Sequence, residues 1–456
     1  MRRTVSFLIV LLSLTLAAPS FSAEPPLTVT IYNNDLAMVQ EVRSLHLARG
    51  TQEYRISDVT ARIDPTSVRL QSLTAPDGVR LQEQRFEFDL TATDRLLELY
   101  LGETIVVTIE DGGSYRGILL DGHGGDAILA LENGSVQVIK ADAVETLQFP
   151  ALPEGLTTRP TLVWLLECTK PGKHEAQISY LTGGMQWQAE YTAAINEDED
   201  LLELSGWASI ENRSGLTFED TRIQLVAGDV HRVTPQPYRA KGGMGREVAL
   251  MAEAPSSDFE ERPLFEYHLY TLDRPATLTD RQAKQFTLFP PTSVKATKEF
   301  TFDGSRDKDK VRANLVLNNT EENGLGKPLP GGRIRVYKSV GAKKDAFAGE
   351  DRIGHVAEGE EVRVYLGNAF DLVGERIVKE TQQISKRSRQ ETVEIRLRNR
   401  KDKEAAVTVI EHLRGDWKFL GETPKIKKKE ANKVEFEVSV PKKGEKIFSY
   451  QVLYKW

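Results

Sequence analysis

Val434-Glu435-Phe436-Glu437-Val438-Ser439-Val440 alternates apolar and polar side chains without a break. Successive residues of an extended strand point to opposite faces, so this spacing builds one buried and one wet face. The same period runs through Val393, Ile395 and Leu397, which alternate with Glu394, Arg396 and Arg398. It returns in Val29 and Ile31 against Thr28 and Thr30. Sheets with one solvated face are typically antiparallel. Turn formers punctuate these runs at Asn33-Asn34-Asp35, Asp111-Gly112-Gly113, Asn133-Gly134, Thr182-Gly183-Gly184 and Gly331-Gly332. Helical periodicity is confined to a short stretch, Asp94 to Leu101, with Thr93 or Asp94 as cap. The expected fold class is all-β: tandem antiparallel β-sandwich domains with an inserted small Sm-like or SH3-like barrel.

The first residues point to export. Arg2 and Arg3 precede an apolar run from Phe7 to Ala18, and Ser20-Phe21-Ser22 offers small residues before Ala23. That is the pattern of a secretory signal spanning 1–22, cleaved near Ser22/Ala23. The expected location is the periplasm or cell envelope. The remaining chain is too long for one core, and it divides into an N-terminal β domain (23–98), the small barrel (99–150), a first sandwich portion (156–233), a flexible loop (234–263) and a C-terminal sandwich portion (264–456). Pro235, Pro237, Gly242, Gly243, Gly245, Pro255 and Pro263 mark the loop.

Charge is unevenly spread. The chain carries a net −7, yet residues 376–456 hold 21 Lys and Arg against 12 Asp and Glu. A basic C-terminal region therefore sits on an acidic body, which suits contact with anionic envelope polymers or a peripheral contact with lipid headgroups. The barrel segment has few basic residues, and an exported chain does not meet RNA, so no nucleic-acid partner is expected.

Chemistry-bearing patterns are sparse. Seven histidines (His46, His123, His174, His231, His268, His355, His412) share no metal-ligand spacing, and Cys168 is the only cysteine. Cys168 sits in an apolar run and reads as a small buried hydrophobe. No serine nucleophile elbow and no phosphate-cradling loop occurs. Asn196 to Asp200 and the Asp303, Asp307, Asp309 group are acidic but lack calcium-loop spacing. No catalytic residue, metal or cofactor is therefore assigned. The candidate surface consists of Asp229 and His231, read as sharing a strand face, and of Trp187, Trp207 and Trp417 as possible sugar platforms. Gly183-Gly184 reads as a hairpin turn, after which Met185, Trp187, Ala189 and Tyr191 point one way.

Several phrases carry a resemblance. They include Ile31-Tyr32-Asn33-Asn34-Asp35-Leu36, Ile63-Asp64-Pro65-Thr66-Ser67-Val68, Arg159-Pro160-Thr161-Leu162-Val163-Trp164, Leu181-Thr182-Gly183-Gly184-Met185-Gln186-Trp187, Leu225-Val226-Ala227-Gly228-Asp229 and Gly367-Asn368-Ala369-Phe370-Asp371-Leu372. Together they resemble the bacterial domain-of-unknown-function family 4139, whose relatives include mucoidy-inhibitor-like proteins. The resemblance covers most of the chain and implies an exported β-sandwich protein, with no agreed activity. Such relatives often insert a coiled coil after the first domain, where this chain has the small barrel. The resulting expectation is a non-catalytic envelope protein that binds another envelope protein or a glycan. The alternative is a glycan-binding module, or a glycan-active enzyme with an acidic cleft between domains.

Overall fold

The computed structural model describes residues 27–88, 93–150, 159–228, 230–231, 259–264, 266–340 and 345–456. Within them lie thirty β-strands and one α-helix, Thr93–Leu99. The fold is all-β. The alternation does what its spacing requires: on the Lys433–Val440 strand, Val434, Phe436, Val438 and Val440 are buried. The 1–22 segment lies outside the described residues, as does most of the 234–263 loop. The end of that loop is ordered differently from expectation: Phe259–Leu264 is a strand paired with Tyr267–Leu272.

The sheets cut across the segments read from sequence. An eight-stranded sheet contains Leu27–Tyr32, Ala37–Leu47 and Arg69–Ser72 beside Gly172–Thr182, Phe218–Ala227, Phe259–Leu264, Tyr267–Leu272 and Ala276–Leu278. A three-stranded sheet places Thr161–Cys168 between Gly50–Ser57 and Val79–Glu87. A five-stranded sheet runs Gln282–Lys295, Leu201–Asn212, Met185–Ile195, Gly332–Ser339, Asp345–Ile353. All three feed one continuous core holding Ile31, Trp164, Tyr180, Trp187, Phe218, Phe289 and Val336. Segments 23–98 and 156–233 thus share a single interior. Part of the 264–456 segment belongs to it as well.

Not every pairing is antiparallel. Leu27–Tyr32 runs parallel to Phe218–Ala227, Met185–Ile195 to Gly332–Ser339, and Thr297–Phe302 to Ala405–His412. Each joins strands far apart in sequence, and parallel neighbours need such a long connection. Gly183-Gly184 is also not a hairpin. Gly172–Thr182 belongs to the eight-stranded sheet and Met185–Ile195 to the five-stranded one, so the turn carries the chain from one layer to the other. Gly184 has φ +83°, and a Cβ there would meet the Arg213 carbonyl oxygen at 2.5 Å. Only glycine fits the crossing.

The 93–150 unit has its own interior. Its five strands lie in the order Val144–Gln148, Thr104–Ile109, Ser114–Asp121, Ala127–Leu131, Val136–Ile139. Leu97 and Tyr100 pack under them with Ile105, Val107, Leu119 and Leu129. Phe149 stacks on Tyr100 with centroids 4.4 Å apart. The first and last strands of this order do not pair with each other among the described residues, so the sheet curls without a shown closure. The unit leaves and rejoins the main body between partners: Glu87 and Thr161 sit directly opposite on adjacent strands.

The last body is one nine-stranded sheet folded on itself. Its order is Asp416–Leu420, Glu445–Lys455, Ser388–Asn399, Glu361–Ser385, Lys310–Asn318, Thr297–Phe302, Ala405–His412, Lys433–Val440, Ile426–Lys429. The fold line is a bulge in the long Glu361–Ser385 strand. Arg312 faces Asn368 but Lys310 faces Val373, so two steps on one strand meet five on the other. Such an insertion bends a sheet. The two limbs then bury Val393, Ile395, Tyr450 and Val452 against Val407, Val409, Phe436 and Val438. Of the final aromatics, Phe448, Tyr450 and Tyr454 pack in this core as in a closing sandwich strand, and Trp456 is exposed.

Candidate functional site

The chemistry found by elimination is mostly architectural. His174 is buried, and its Nε2–H donates to the Lys170 carbonyl at 2.7 Å. Its Nδ1 then accepts from the Ser72 hydroxyl at 3.0 Å, and Ser72 Oγ accepts the Ala75 N–H. Cys168 lies 3.8 Å from the same ring, is 1% exposed, and donates to the Lys170 carbonyl. A Ser–His–Cys group sealed from solvent has every donor and acceptor engaged and no path for a substrate. Cys168 is the buried hydrophobe expected from its apolar setting.

An open groove of about 600 Å³ lies across the polar face of the nine-stranded sheet. Its four carboxylates are each engaged by a side chain. Asp303 holds His412 at 2.6 Å, Asp307 holds Arg312 at 2.5 Å, Glu361 holds Arg363 at 3.0 Å and Glu435 holds Lys433 at 2.5 Å. Glu299 beside it bridges Arg363 and Lys427. These pairs are partly open to water, and such pairs lace a wet face together more than they stabilise it.

On the opposite face of the same strand as His412, Glu411 is 1% exposed inside the sandwich. It accepts from Arg376 Nε at 3.0 Å and from the Tyr450 hydroxyl at 2.5 Å. Burial raises the Glu411 carboxyl above its ordinary range, although Arg376 and Tyr450 pull it back. Burial also raises the Tyr450 phenol, and the Glu411 charge adds to that. Neither group opens on the groove. The arrangement is a buried polar clasp between the two limbs of the folded sheet.

The sequence candidates disperse. Phe218–Ala227 ends before Asp229, so Asp229-Val230-His231 lies beyond the strand that was expected to align them. Asp229 falls outside the described residues, and His231 is exposed off any strand. Trp187 is no platform: it is 1% exposed, its Nε1–H donates to the Val226 carbonyl at 2.9 Å, and Tyr270 meets it edge-on. Trp417 packs on Phe419, carries Lys429 over its ring at 4.8 Å, and donates to the Ala431 carbonyl. Trp207 alone of these three is open. It stands 39% exposed on the outer face of the five-stranded sheet.

One further surface was invisible in the sequence. Past Val373 the long strand loses its neighbour: Gly374 N–H donates to Asp309, and from Glu375 to Ser385 the strand pairs only with Ser388–Asn399 among the described residues. Its eleven backbone units therefore present one unpaired edge. The side chains from Val378 to Ser385 are all exposed. Three other edges are blunted. Gln282–Lys295 contains Pro290-Pro291, which donate no N–H, and Ile426–Lys429 and Asp416–Leu420 are short. Alternation marks a strand but not whether its far edge is covered. The extra length of this strand relative to its neighbours was the only available signal.

Comparison with the models of known protein families finds no match to the chain, and comparison with curated proteins finds none either.

Proposed function

We propose that this chain is an exported, non-catalytic protein of the cell envelope that binds an extended segment of another envelope protein along the Glu375–Ser385 edge. Membership of domain-of-unknown-function family 4139 forms part of the same proposal and brings no activity with it. The observation that carries the reading is the free edge itself. Backbone groups in an unpaired edge offer hydrogen bonds to any strand that aligns with them, while exposed alternate side chains select which strand. Lys386 and Arg387 at the hairpin tip favour an acidic segment, while Lys379 and Arg389 are paired with Glu394 and Glu391. Bulges at Val378/Glu380 and Gln383/Ser385 disturb the regular repeat, which disfavours pairing of two copies edge to edge. The paired state of the groove carboxylates and the burial of His174 and Cys168 weigh against the enzyme alternative.

The test uses single prolines at Thr381 and at Gln382. Adjacent N–H groups of a strand point to opposite edges, so one of the two removes a donor from the free edge and the other from the hairpin ladder. Lysine-directed crosslinking in intact envelopes, read by mass spectrometry, should link Lys379 or Lys386 to one partner. The outward proline should abolish that link while leaving the thermal transition unchanged. A link that survives both prolines refutes the edge reading.

A further inference from the structure

We propose that the outer face of the five-stranded sheet, centred on Trp207, is a binding site for a neutral glycan. This inference does not depend on the strand edge, which lies in the other sheet system. Trp207 is 39% exposed in mid-strand, and its indole N–H makes no hydrogen bond among the described residues. Trp187 spends that donor on Val226, while Trp164 leaves it unpaired in the core; what sets Trp207 apart is that its unspent donor stands on an exposed face.

The surroundings are unlike the rest of a chain in which 28% of residues are charged. Ser205 and Ser209 flank Trp207 on its own strand and face outward with it. On one neighbouring strand, Thr192 lies opposite Ser205 and Gln188 opposite Ser209. On the other, Thr287 lies opposite Trp207 and Gln285 opposite Ser209. An indole thus sits within a ring of hydroxyls and amides, donors and acceptors without net charge. A pyranose has the complementary make-up: an apolar C–H face that stacks on an aromatic ring, and a hydroxyl-bearing edge that needs small polar partners. Binding sites generally combine an apolar platform with a few placed polar groups in this way.

The one charge beside the ring is already neutralised. Glu190, directly opposite Trp207, is 6% exposed. It accepts from Gln188 Nε2 at 2.8 Å, Arg333 Nη2 at 2.9 Å and Arg335 Nη1 at 2.8 Å. The clamp fixes Gln188 in place and engages both guanidinium groups, and Arg335 also pairs with Glu350 at 3.3 Å, so neither arginine is left to select an anionic polymer. The flat face is open along the strands, which suits a residue within a chain better than an enclosed monosaccharide.

The test titrates the full protein with three linear hexasaccharides: a β-linked glucose chain, an α-linked glucose chain and a β-linked N-acetylglucosamine chain. Tryptophan fluorescence and calorimetry report binding. At least one probe should bind and shift the emission. Trp207→Ala should weaken that binding by about tenfold or more, the equivalent of about 1.4 kcal/mol. Trp417→Ala should leave it unchanged. Should Trp207→Ala fold poorly, Gln188→Ala/Gln285→Ala replaces it, since both positions are exposed, and it should weaken binding in the same direction. Failure of all three probes to bind overturns the proposal, as does binding that Trp207→Ala and Gln188→Ala/Gln285→Ala leave intact.

Discussion

Trp187→Ala tests whether the aromatic alternation builds the core or serves a ligand. Trp187 is 1% exposed, and its indole satisfies the Val226 carbonyl. Truncation to alanine removes roughly 150 Å² of buried apolar surface, which at about 25 cal/mol per Å² is about 4 kcal/mol. The orphaned carbonyl adds about 1 kcal/mol. The sum lies at the upper end of the roughly 3–5 kcal/mol found for such truncations. Trp207→Ala, on the outer face, should cost less than about 1 kcal/mol. Guanidinium titration followed by circular dichroism measures both, and hydrogen exchange across 185–195 assigns the transition to the larger core. A loss below about 1 kcal/mol for Trp187→Ala, or a larger loss for Trp207→Ala, refutes the assignment of Trp187 to architecture.

The buried clasp predicts a pH signature. Because burial raises the Glu411 carboxyl above its ordinary 4.5, the folded chain keeps that proton at pH values where the unfolded chain has lost it. The resulting stabilisation is complete below the unfolded value and disappears as pH rises through the folded one. Glu411→Gln cannot ionise, so its melting temperature relative to wild type should rise across that window; parallel curves would exclude the effect. Cys168 should resist a disulfide-exchange thiol reagent in the native state and react on unfolding, and rapid native labelling would contradict its burial. Excising 93–150 and joining its flanks with a short turn should leave the larger core's melting temperature within about 3 °C, because the strand ends at Glu87 and Thr161 are already neighbours. Loss of that transition in scanning calorimetry would make the small unit integral.

What could be read in the residues was local. A two-residue period dictates which side chains share a face, so the all-β class and the burial of Tyr191, Phe436 and Tyr450 followed from spacing, whereas the same spacing left Trp187 open as a surface platform until packing buried it. The Thr93–Leu99 helix and the turns at Asn133-Gly134 and Asp111-Gly112-Gly113 were likewise set by short-range steric preference. Cys168 was legible for the same reason, since an apolar neighbourhood in sequence becomes an apolar neighbourhood in a strand.

Partner choice between strands was decided only in three dimensions. A strand's period is the same whether its neighbour is the next one along the chain or one nearly two hundred residues away, as Thr28 and Arg222 are. For that reason the Gly183-Gly184 turn looked like a hairpin but changes sheets, and 23–98 looked separate but shares its core with 161–227. Alternation is equally blind to what lies beyond a strand's edge or above its wet face. The unpaired edge at Glu375–Ser385 and the neutral ring around Trp207 exist because of which strands stop short and which stand side by side. Those are properties of packing, and side-chain order along the chain does not encode them locally.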